Sequence, residues 1–364
     1  MLTLSFFEYS FIFPFLVSYN FIWYIFYKFN FYSVRKKQLT NNKLNKTNII
    51  KKLNFSIFAK IGLILSFYII LNIFNFKNYS NVFWWNHFFL SNFNNTIILV
   101  FFLLNSFFFL YVLFLSYYPL SYPNDYFFSI LNLTLTLPLI FLSNNFFFFF
   151  FLLETISLLI FYKFVSTKIW YKKNTQQFEN SNTNLQKILP KQYLNVLFFQ
   201  FWATFFSTVF LIFFIMFALS LFGSTEWVYL NLLIYLELST FYFNNNHLFS
   251  ILGFLLLMGI FLKIGFTPFH LFKIEVYKGI PMLSIFFYTT YYFLIFFIFF
   301  SLLISNYLGS FFPFMWVFFS LILILGILYS ISLLFDLNFL KAFFAYSTII
   351  NTLFFMLILM AINI

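Results

Sequence analysis

The sequence has no cysteine among its 364 residues. Disulfide bonds, thiolate metal sites and cysteine-held iron–sulfur clusters are therefore excluded within this chain. The sequence also contains neither a Gly-rich dinucleotide fingerprint nor a cluster of metal-ligating residues. We expect any redox cofactor that works with this chain to be bound by another polypeptide.

Charged residues are scarce too. They make up 8% of the chain, whereas about a quarter of the residues in a typical soluble domain are charged. Hydrophobic residues make up 63%, and apolar runs of the roughly 20 residues that a membrane helix needs recur from end to end. The composition excludes a water-soluble globule and predicts an all-α, polytopic bundle of transmembrane helices.

Apolar runs separated by polar breaks predict about ten spans. They lie near 4–27, 54–76, 96–118, 126–143, 146–166, 193–222, 248–275, 281–305, 311–335 and 339–363. Only the short segment 143–145 divides the fourth span from the fifth, and residues 228–243 are apolar enough for a partial insertion. The first span is too long for a cleaved signal peptide, so we expect it to remain in the protein.

The basic residues that give the net charge of +12 are unevenly distributed. If the spans alternate, most of the 20 Lys and Arg residues fall on one side of the membrane, which is the pattern that sets orientation. The segments on this basic side are 28–53, 119–125, 167–192, 273–280 and 336–341. We therefore expect orienting loops, with contact to anionic lipid or a partner subunit as the alternative, and no nucleic-acid partner.

A few charged residues lie within the predicted spans, where charge is costly and each ionisable group is a functional candidate. Glu154 and Lys263 are the deepest, and Pro268 and His270 follow Lys263 closely. Pro268 breaks the helix ladder, and non-helical backbone at membrane depth persists only inside protein or beside a water-filled cavity. Burial disfavours a charged lysine and a nearby carboxylate favours it, so such a pair can exchange protons.

Each of these residues also has a structural interpretation. Lys263 could extend its ammonium to the membrane interface, as Lys60 is expected to do. Glu154 could serve only in helix packing, and His270 could be a hydrogen-bonded histidine at a helix end. The sequence does not show whether Glu154 and Lys263 are close in space.

The segment 259–281, GIFLKIGFTPFHLFKIEVYKGIP, resembles the central signature of subunit 2 of respiratory complex I. In that family a lysine, four residues and Pro-Phe-His precede an acidic-Val pair and Gly-Ile-Pro or Gly-Ala-Pro. The sister subunits 4 and 5 and sodium/proton antiporter subunits use a Pro-x-His-x-Trp-Leu-Pro form, which fits less well. Segments 340–349 (LKAFFAYSTI) and 153–158 (LETISL) also resemble family helices.

The resemblance implies an antiporter-like fold in a membrane-arm subunit of proton-pumping NADH:ubiquinone oxidoreductase. By analogy, Glu154 is the carboxylate of a proton half-channel, Lys263 is its central proton-carrying lysine, and His270 lies on the hydrated path beside the break at Pro268. Lys341 is a weaker candidate. The residues 1–118 would form three N-terminal helices, 126–305 the first five-helix repeat, and 311–364 the start of a second, inverted repeat.

Location, cofactors and partners follow from the same resemblance. It implies the mitochondrial inner membrane with the basic loops facing the matrix, and the 72 Phe residues are typical of an A+T-rich organelle genome. FMN, iron–sulfur clusters and ubiquinone are expected in other subunits. The expected partners are the other membrane-arm subunits, lipids including cardiolipin, and a second polypeptide that supplies the helices missing from the second repeat, with outright loss of those helices as the alternative.

Two positions depart from the family pattern. Phe293 stands where the family has a lysine thirty residues after the central one, and Asn195 stands near another family lysine. A phenylalanine cannot carry a proton. The alternatives are therefore a scaffold subunit of the same complex without proton conduction, or an Mrp-like cation/proton antiporter subunit.

Overall fold

Helices dominate the computed structural model, as the composition predicts. The structure describes residues 44–75, 81–83, 87–115, 124–177, 183–230, 232, 246–280, 282–303, 315–335 and 340–363. The predicted span near 4–27 and most of the apolar segment 228–243 lie outside the described residues.

The elements follow in chain order. The α-helices are α1 (Leu44–Asn75), α2 (Asn92–Leu115), α3 (Asn124–Thr136), α4 (Phe146–Gln177), α5 (Thr183–Phe222), α6 (Asn246–Ile264), α7 (Leu271–Gly279), α8 (Met282–Phe287), α9 (Phe293–Leu303), α10 (Met315–Phe335) and α11 (Leu340–Asn363). Two short strands, β1 (Asn81–Phe83) and β2 (Phe88–Leu90), join α1 to α2. A 3₁₀-helix at Leu137–Leu142 continues α3, and a π-helix at Tyr288–Tyr292 joins α8 to α9.

Nine of the ten predicted spans fall on described residues, and each coincides with a helical segment. The stretches long and apolar enough to cross a membrane are Asn94–Tyr111, Phe146–Val165, Asn195–Phe222 and Leu340–Ile358. Shorter apolar helices cover Ala59–Phe74, Ser129–Leu142, Ile251–Ile264, Tyr288–Leu303 and Phe319–Phe335. The prediction of an all-α membrane fold is confirmed.

The polar loops predicted at 28–53 and 167–192 are partly helical in the structure. Residues 44–53 belong to α1, residues 167–177 to α4 and residues 183–192 to α5. The end of an apolar run does not end a helix, because Lys, Gln and Leu are good helix formers. The segment 273–280 is also mostly helical, as part of α7.

The described residues up to Ser143 form one compact unit. Helix α1 packs against α2 and α3, and β1 pairs with β2 in an antiparallel hairpin, with Asn81 opposite Leu90. The Asn105 side-chain amide donates a buried 2.8 Å hydrogen bond to the Thr134 carbonyl, which ties α2 to α3. All six residues of the 3₁₀-helix are buried, and Pro138 near its start cannot donate a backbone hydrogen bond to an α-helical ladder.

Residues from Asn144 onward form a second compact unit. In it α5 packs against α4, α6 and α7, while α11 packs against α7 and α10. Gly259 allows the close approach of α5 to α6, since a Cβ there would lie 2.8 Å from Cγ of Leu211. The Ser207 hydroxyl donates a buried 2.7 Å hydrogen bond to the Gly259 carbonyl. Helix α5 therefore connects the helices that contribute the candidate residues.

Candidate functional site

Glu154 and Lys263 form an ion pair in the second unit. The Lys263 ammonium donates a 2.8 Å hydrogen bond to Oε1 of Glu154. The lysine side chain is 3% exposed and the carboxylate 33%. A lysine reaching out to the membrane interface would leave its ammonium exposed, so the interfacial interpretation of Lys263 is wrong for this structure.

Helix α4 presents Glu154 at the middle of its apolar part. The hydroxyl of Ser157, one turn later, donates to the backbone carbonyl of Glu154 at 2.8 Å and lies 3.4 Å from Oε2. One carboxylate oxygen therefore faces the lysine and the other faces a hydroxyl. The charged hydrogen bond from Lys263 to Oε1 limits the orientation of the carboxylate.

Lys263 lies in the last turn of α6, directly before a break. The helix ends at Ile264, and Gly265 follows with a φ of 79°. The amides of Gly265 and Phe266 both donate to the Phe261 carbonyl, at 2.8 and 3.1 Å. Glycine adopts this left-handed conformation without the steric cost that other residues incur, so Gly265 closes the helix two residues after the lysine.

The chain then crosses the Thr267–Pro268 bond, which is cis, and becomes helical again at Leu271. The predicted break at Pro268 is therefore present, although the helix ends four residues before the proline. Helix α10 approaches the break closely, because a Cβ on Gly326 would lie 2.8 Å from Cβ of Thr267. Gly265, Phe266 and Thr267 are buried, whereas Pro268 is exposed and Phe269 is half-buried. The first part of the break is thus enclosed by protein, which is a condition for non-helical backbone to persist at membrane depth.

His270 does not join the ion pair. It is 4% exposed, and its ring packs against Tyr329 and Tyr346 with centroids 5.7 and 6.5 Å away. Its backbone precedes the first residue of α7 and its carbonyl accepts from the Lys273 amide at 3.1 Å. The structure therefore places His270 at the far end of the break from Lys263, within an aromatic environment.

Lys341 lies at the start of α11, and its ammonium donates a 2.9 Å hydrogen bond to the Ile280 carbonyl. Ile280 directly follows α7 as its C-cap, and its backbone is extended. Its carbonyl therefore lies outside the helical hydrogen-bond ladder and accepts from the lysine instead. This contact fixes the end of α7 to α11 and is separate from the Glu154–Lys263 pair.

Asn195 and Phe293, the two positions that depart from the pattern of the resembled family, lie on different helices. Asn195 is exposed and lines an open groove on α4 and α5 together with Phe161 and Phe198. Phe293 is half-buried at the start of α9, directly after the π-helix.

Two buried lysines were not predicted to be candidates. Lys163 on α4 is 1% exposed, and its ammonium lies 4.1 Å from the centre of the Phe287 ring. Lys273 on α7 is 3% exposed and lies 5.5 Å from the centre of the Phe293 ring. Sequence reasoning treated Lys273 as a charge of an orienting loop, although its position three residues after His270, beyond a predicted break, could have indicated burial.

Metal binding has no support in the described part of the chain, where no group of three or more His, Cys, Asp and Glu residues could hold an ion. The chemistry available to the Glu154–Lys263 pair is proton exchange, since both groups ionise and they share a hydrogen bond.

No family model matches this chain, but comparison with known proteins finds a curated relative and similar solved structures. The "Uncharacterized mitochondrial protein ORF4" of Paramecium tetraurelia is 44% identical over 82 residues, which cover 22% of this chain and 52% of that protein. A chain in the structure of respiratory complex I from Thermus thermophilus with bound aureothin matches 82% of this chain and 57% of its own length. Its TM-score is 0.57 and its sequence identity 15%.

The structural match shows that this chain shares the fold of a respiratory complex I chain. The chain spans only a little over half the length of either similar protein.

Proposed function

We propose that this chain is a membrane subunit of mitochondrial respiratory complex I, similar to subunit 2. In this role it provides a proton half-channel that couples quinone reduction to proton translocation. The shared fold supports the assignment to the complex, and the mitochondrial relative supports the compartment. The observation that carries the proton-transfer role is the ion pair between Lys263 and Glu154 beside a broken helix.

The physical basis of the role is the mutual dependence of the two charges. Unit charges 2.8 Å apart attract by roughly 6 kcal/mol at an effective dielectric constant of about 20, before desolvation is subtracted. Protonation or displacement of Glu154 removes this attraction and leaves the buried Lys263 ammonium without its counterion. The Lys263 ammonium then releases its proton to water. When the Glu154 carboxylate regains its charge and position, it again favours the protonated form of Lys263, which takes up a new proton.

The remaining site residues have supporting roles in this proposal. The break from Gly265 to His270 brings water to the end of α6, and His270 lies on that hydrated path. Lys341 holds the second half-helix in place through the Ile280 carbonyl. The chain itself binds no redox cofactor. FMN, the iron–sulfur clusters and ubiquinone belong to other subunits, and the basic segments face the matrix.

Membership of the complex is tested by separating inner-membrane proteins on a native gel in mild detergent. Mass spectrometry of the band with NADH dehydrogenase activity should identify this chain together with other membrane-arm subunits. If the chain migrates elsewhere, and if its isolated form transports sodium against protons, the antiporter interpretation replaces this one.

The proton-transfer role is tested with Lys263→Met in the assembled complex. Translocated protons per electron should fall, while the amount of assembled complex is retained. The matched control is Lys278→Met, because Lys278 also forms an ion pair, at 2.7 Å to Glu275, but on an exposed surface. An unchanged proton stoichiometry in Lys263→Met would leave only the scaffold role, which Phe293 and Asn195 favour.

A further inference from the structure

Lys273 is a buried cation without a carboxylate partner among the described residues. Its side chain is 3% exposed, and in the described part of the chain its ammonium forms no ion pair or hydrogen bond. Its contact is with the face of Phe293, at 5.5 Å from the ring centre, near the outer limit of about 6 Å for a cation–π interaction. Such a contact replaces little of the hydration that a buried ammonium loses.

The local structure accommodates this side chain at the break. Gly265 has no Cβ, and a Cβ there would lie 3.2 Å from Cδ of Lys273 and 3.3 Å from its Cβ. The stem of Lys273 therefore runs along the same non-helical segment that ends α6 after Lys263. Lys263 and Lys273 lie on either side of one break, the first paired with Glu154 and the second without an ion pair in the part of the chain that the structure describes.

A group of buried tyrosines continues from Lys273. Tyr277 is fully buried one turn later on α7, on the same helix face as Lys273. Its ring lies 6.0 Å from that of Tyr288, which stacks on Tyr292 at 4.6 Å. All three tyrosines are buried, with side chains no more than 5% exposed.

These tyrosines coincide with the π-helix at Tyr288–Tyr292. Single-turn π-helices are rare and occur frequently at functional sites. Phe293 follows this turn directly, and the Lys273 ammonium lies over its ring. The buried ammonium and the π-helix that carries Tyr288 and Tyr292 are thus both next to Phe293, which cannot carry a proton itself.

We propose that Lys273 is a second proton carrier of this membrane domain, and that the hydroxyls of Tyr288 and Tyr292 continue its path around Phe293. In this step the Lys273 ammonium gives up one proton and becomes a neutral amine. Each hydroxyl oxygen accepts a proton as its own passes on, and water accepts the proton that leaves the last hydroxyl. A proton from water on the opposite side then restores the ammonium, so the lysine and the tyrosines are unchanged after one cycle. The inference rests on the proposed function and assigns its second carrier.

The test compares two substitutions that separate charge from proton release. Lys273→Arg keeps a cation over Phe293 but holds its proton, because a guanidinium does not deprotonate in proteins. Lys273→Met removes the charge and keeps an unbranched apolar side chain. Both variants should lose the same share of translocated protons per electron as Lys263→Met, whereas Lys278→Met on the same helix should lose none.

Thermal stability of the assembled complex gives a second readout. An unpaired buried charge costs stability, so Lys273→Met should raise the melting temperature of the complex or leave it unchanged while lowering proton translocation. A purely structural lysine would show the opposite result, with a lower melting temperature in Lys273→Met and rescue by Lys273→Arg. That result would overturn the proposal.

The remaining outcomes are also distinguishable. If Lys263→Met lowers proton stoichiometry and Lys273→Met does not, this inference fails and the proposed function stands. If neither variant lowers it, the proposed function fails as well. Tyr288→Phe, which keeps the ring and removes the hydroxyl, should slow proton translocation. Full activity in Tyr288→Phe would overturn the tyrosine path.

Discussion

The Lys263 ammonium lies 2.8 Å from the Glu154 carboxylate, although 109 positions separate the two residues in the sequence. Helices α4 and α6 supply them, and α5 packs against both. A hydrogen bond across so long a sequence separation depends on the tertiary fold. Any change in the packing of α4 or α6 against α5 would therefore lengthen or break this hydrogen bond.

Glu154→Gln should lower both proton translocation and stability. The amide keeps the shape of the side chain but leaves Lys263 as a buried charge without a counterion, and breaking a buried pair in this way typically costs about 3–5 kcal/mol. The measurement is protons per electron together with the melting temperature of the assembled complex. Glu275→Gln, in the exposed pair with Lys278, is the control and should change neither.

The double variant Glu154→Gln with Lys263→Met should be more stable than Glu154→Gln alone. Removing the lysine removes the uncompensated charge, so the two effects are not additive. Melting temperatures of the four forms complete a double-mutant cycle. Additive effects would mean that the two side chains do not interact in the assembled protein.

Gly265→Ala should destabilise the chain more than Gly223→Ala. Both glycines have positive φ, 79° and 69°, so both substitutions carry the left-handed backbone cost of about 1 kcal/mol or more. At Gly265 the new Cβ would also lie 3.1 Å from Phe272 and 3.2 Å from Lys273, whereas at Gly223 it would meet nothing within 4 Å. The difference in melting temperature between the two variants measures the crowding at the break.

Gly259→Ala should separate α5 from α6 and disturb Lys263, which lies one turn later on α6. The added methyl would lie 2.8 Å from Cγ of Leu211, so the helices must move apart or the leucine must shift. Leu211→Ala creates space for that methyl and should partly restore the stability of Gly259→Ala. Assembly level and melting temperature of the single and double variants check this, and a double variant no better than Gly259→Ala would contradict it.

Lys341→Met should lower stability more than proton stoichiometry. It leaves the Ile280 carbonyl without its donor, and an unsatisfied buried acceptor costs about 1–3 kcal/mol. Lys341→Arg keeps a donor and should retain most of the stability. If Lys341→Met instead lowered protons per electron in a fully assembled, equally stable complex, Lys341 would be a proton carrier and not a positioning residue.

The sequence alone was sufficient to predict the helical framework. Apolar runs located all nine described spans, because membrane helices differ from their connections in hydrophobicity over long windows. The motif around Pro268 indicated the break, since proline cannot continue the hydrogen-bond ladder. The closing residue is nevertheless Gly265, whose positive φ becomes evident only in the structure.

The pairing and burial of individual charges were less predictable. Glu154 and Lys263 were candidates, but their contact depends on how α4 and α6 pack on α5. Lys273 was missed because a hydropathy pattern treats a basic residue near a predicted span end as an interfacial charge. Its burial results from the second half-helix folding back against Gly265 and Phe293.

The early end of α6 also gives the Lys263 ammonium a fixed electrostatic partner. The aligned peptide dipoles of a helix place the equivalent of roughly half a negative elementary charge at its C-terminus, and Lys263 lies in the last turn of α6. This partial charge belongs to backbone carbonyls, so no protonation event removes it. The ammonium therefore experiences two sources of negative potential, the Glu154 carboxylate, which a proton can neutralise, and the helix terminus, which is permanent.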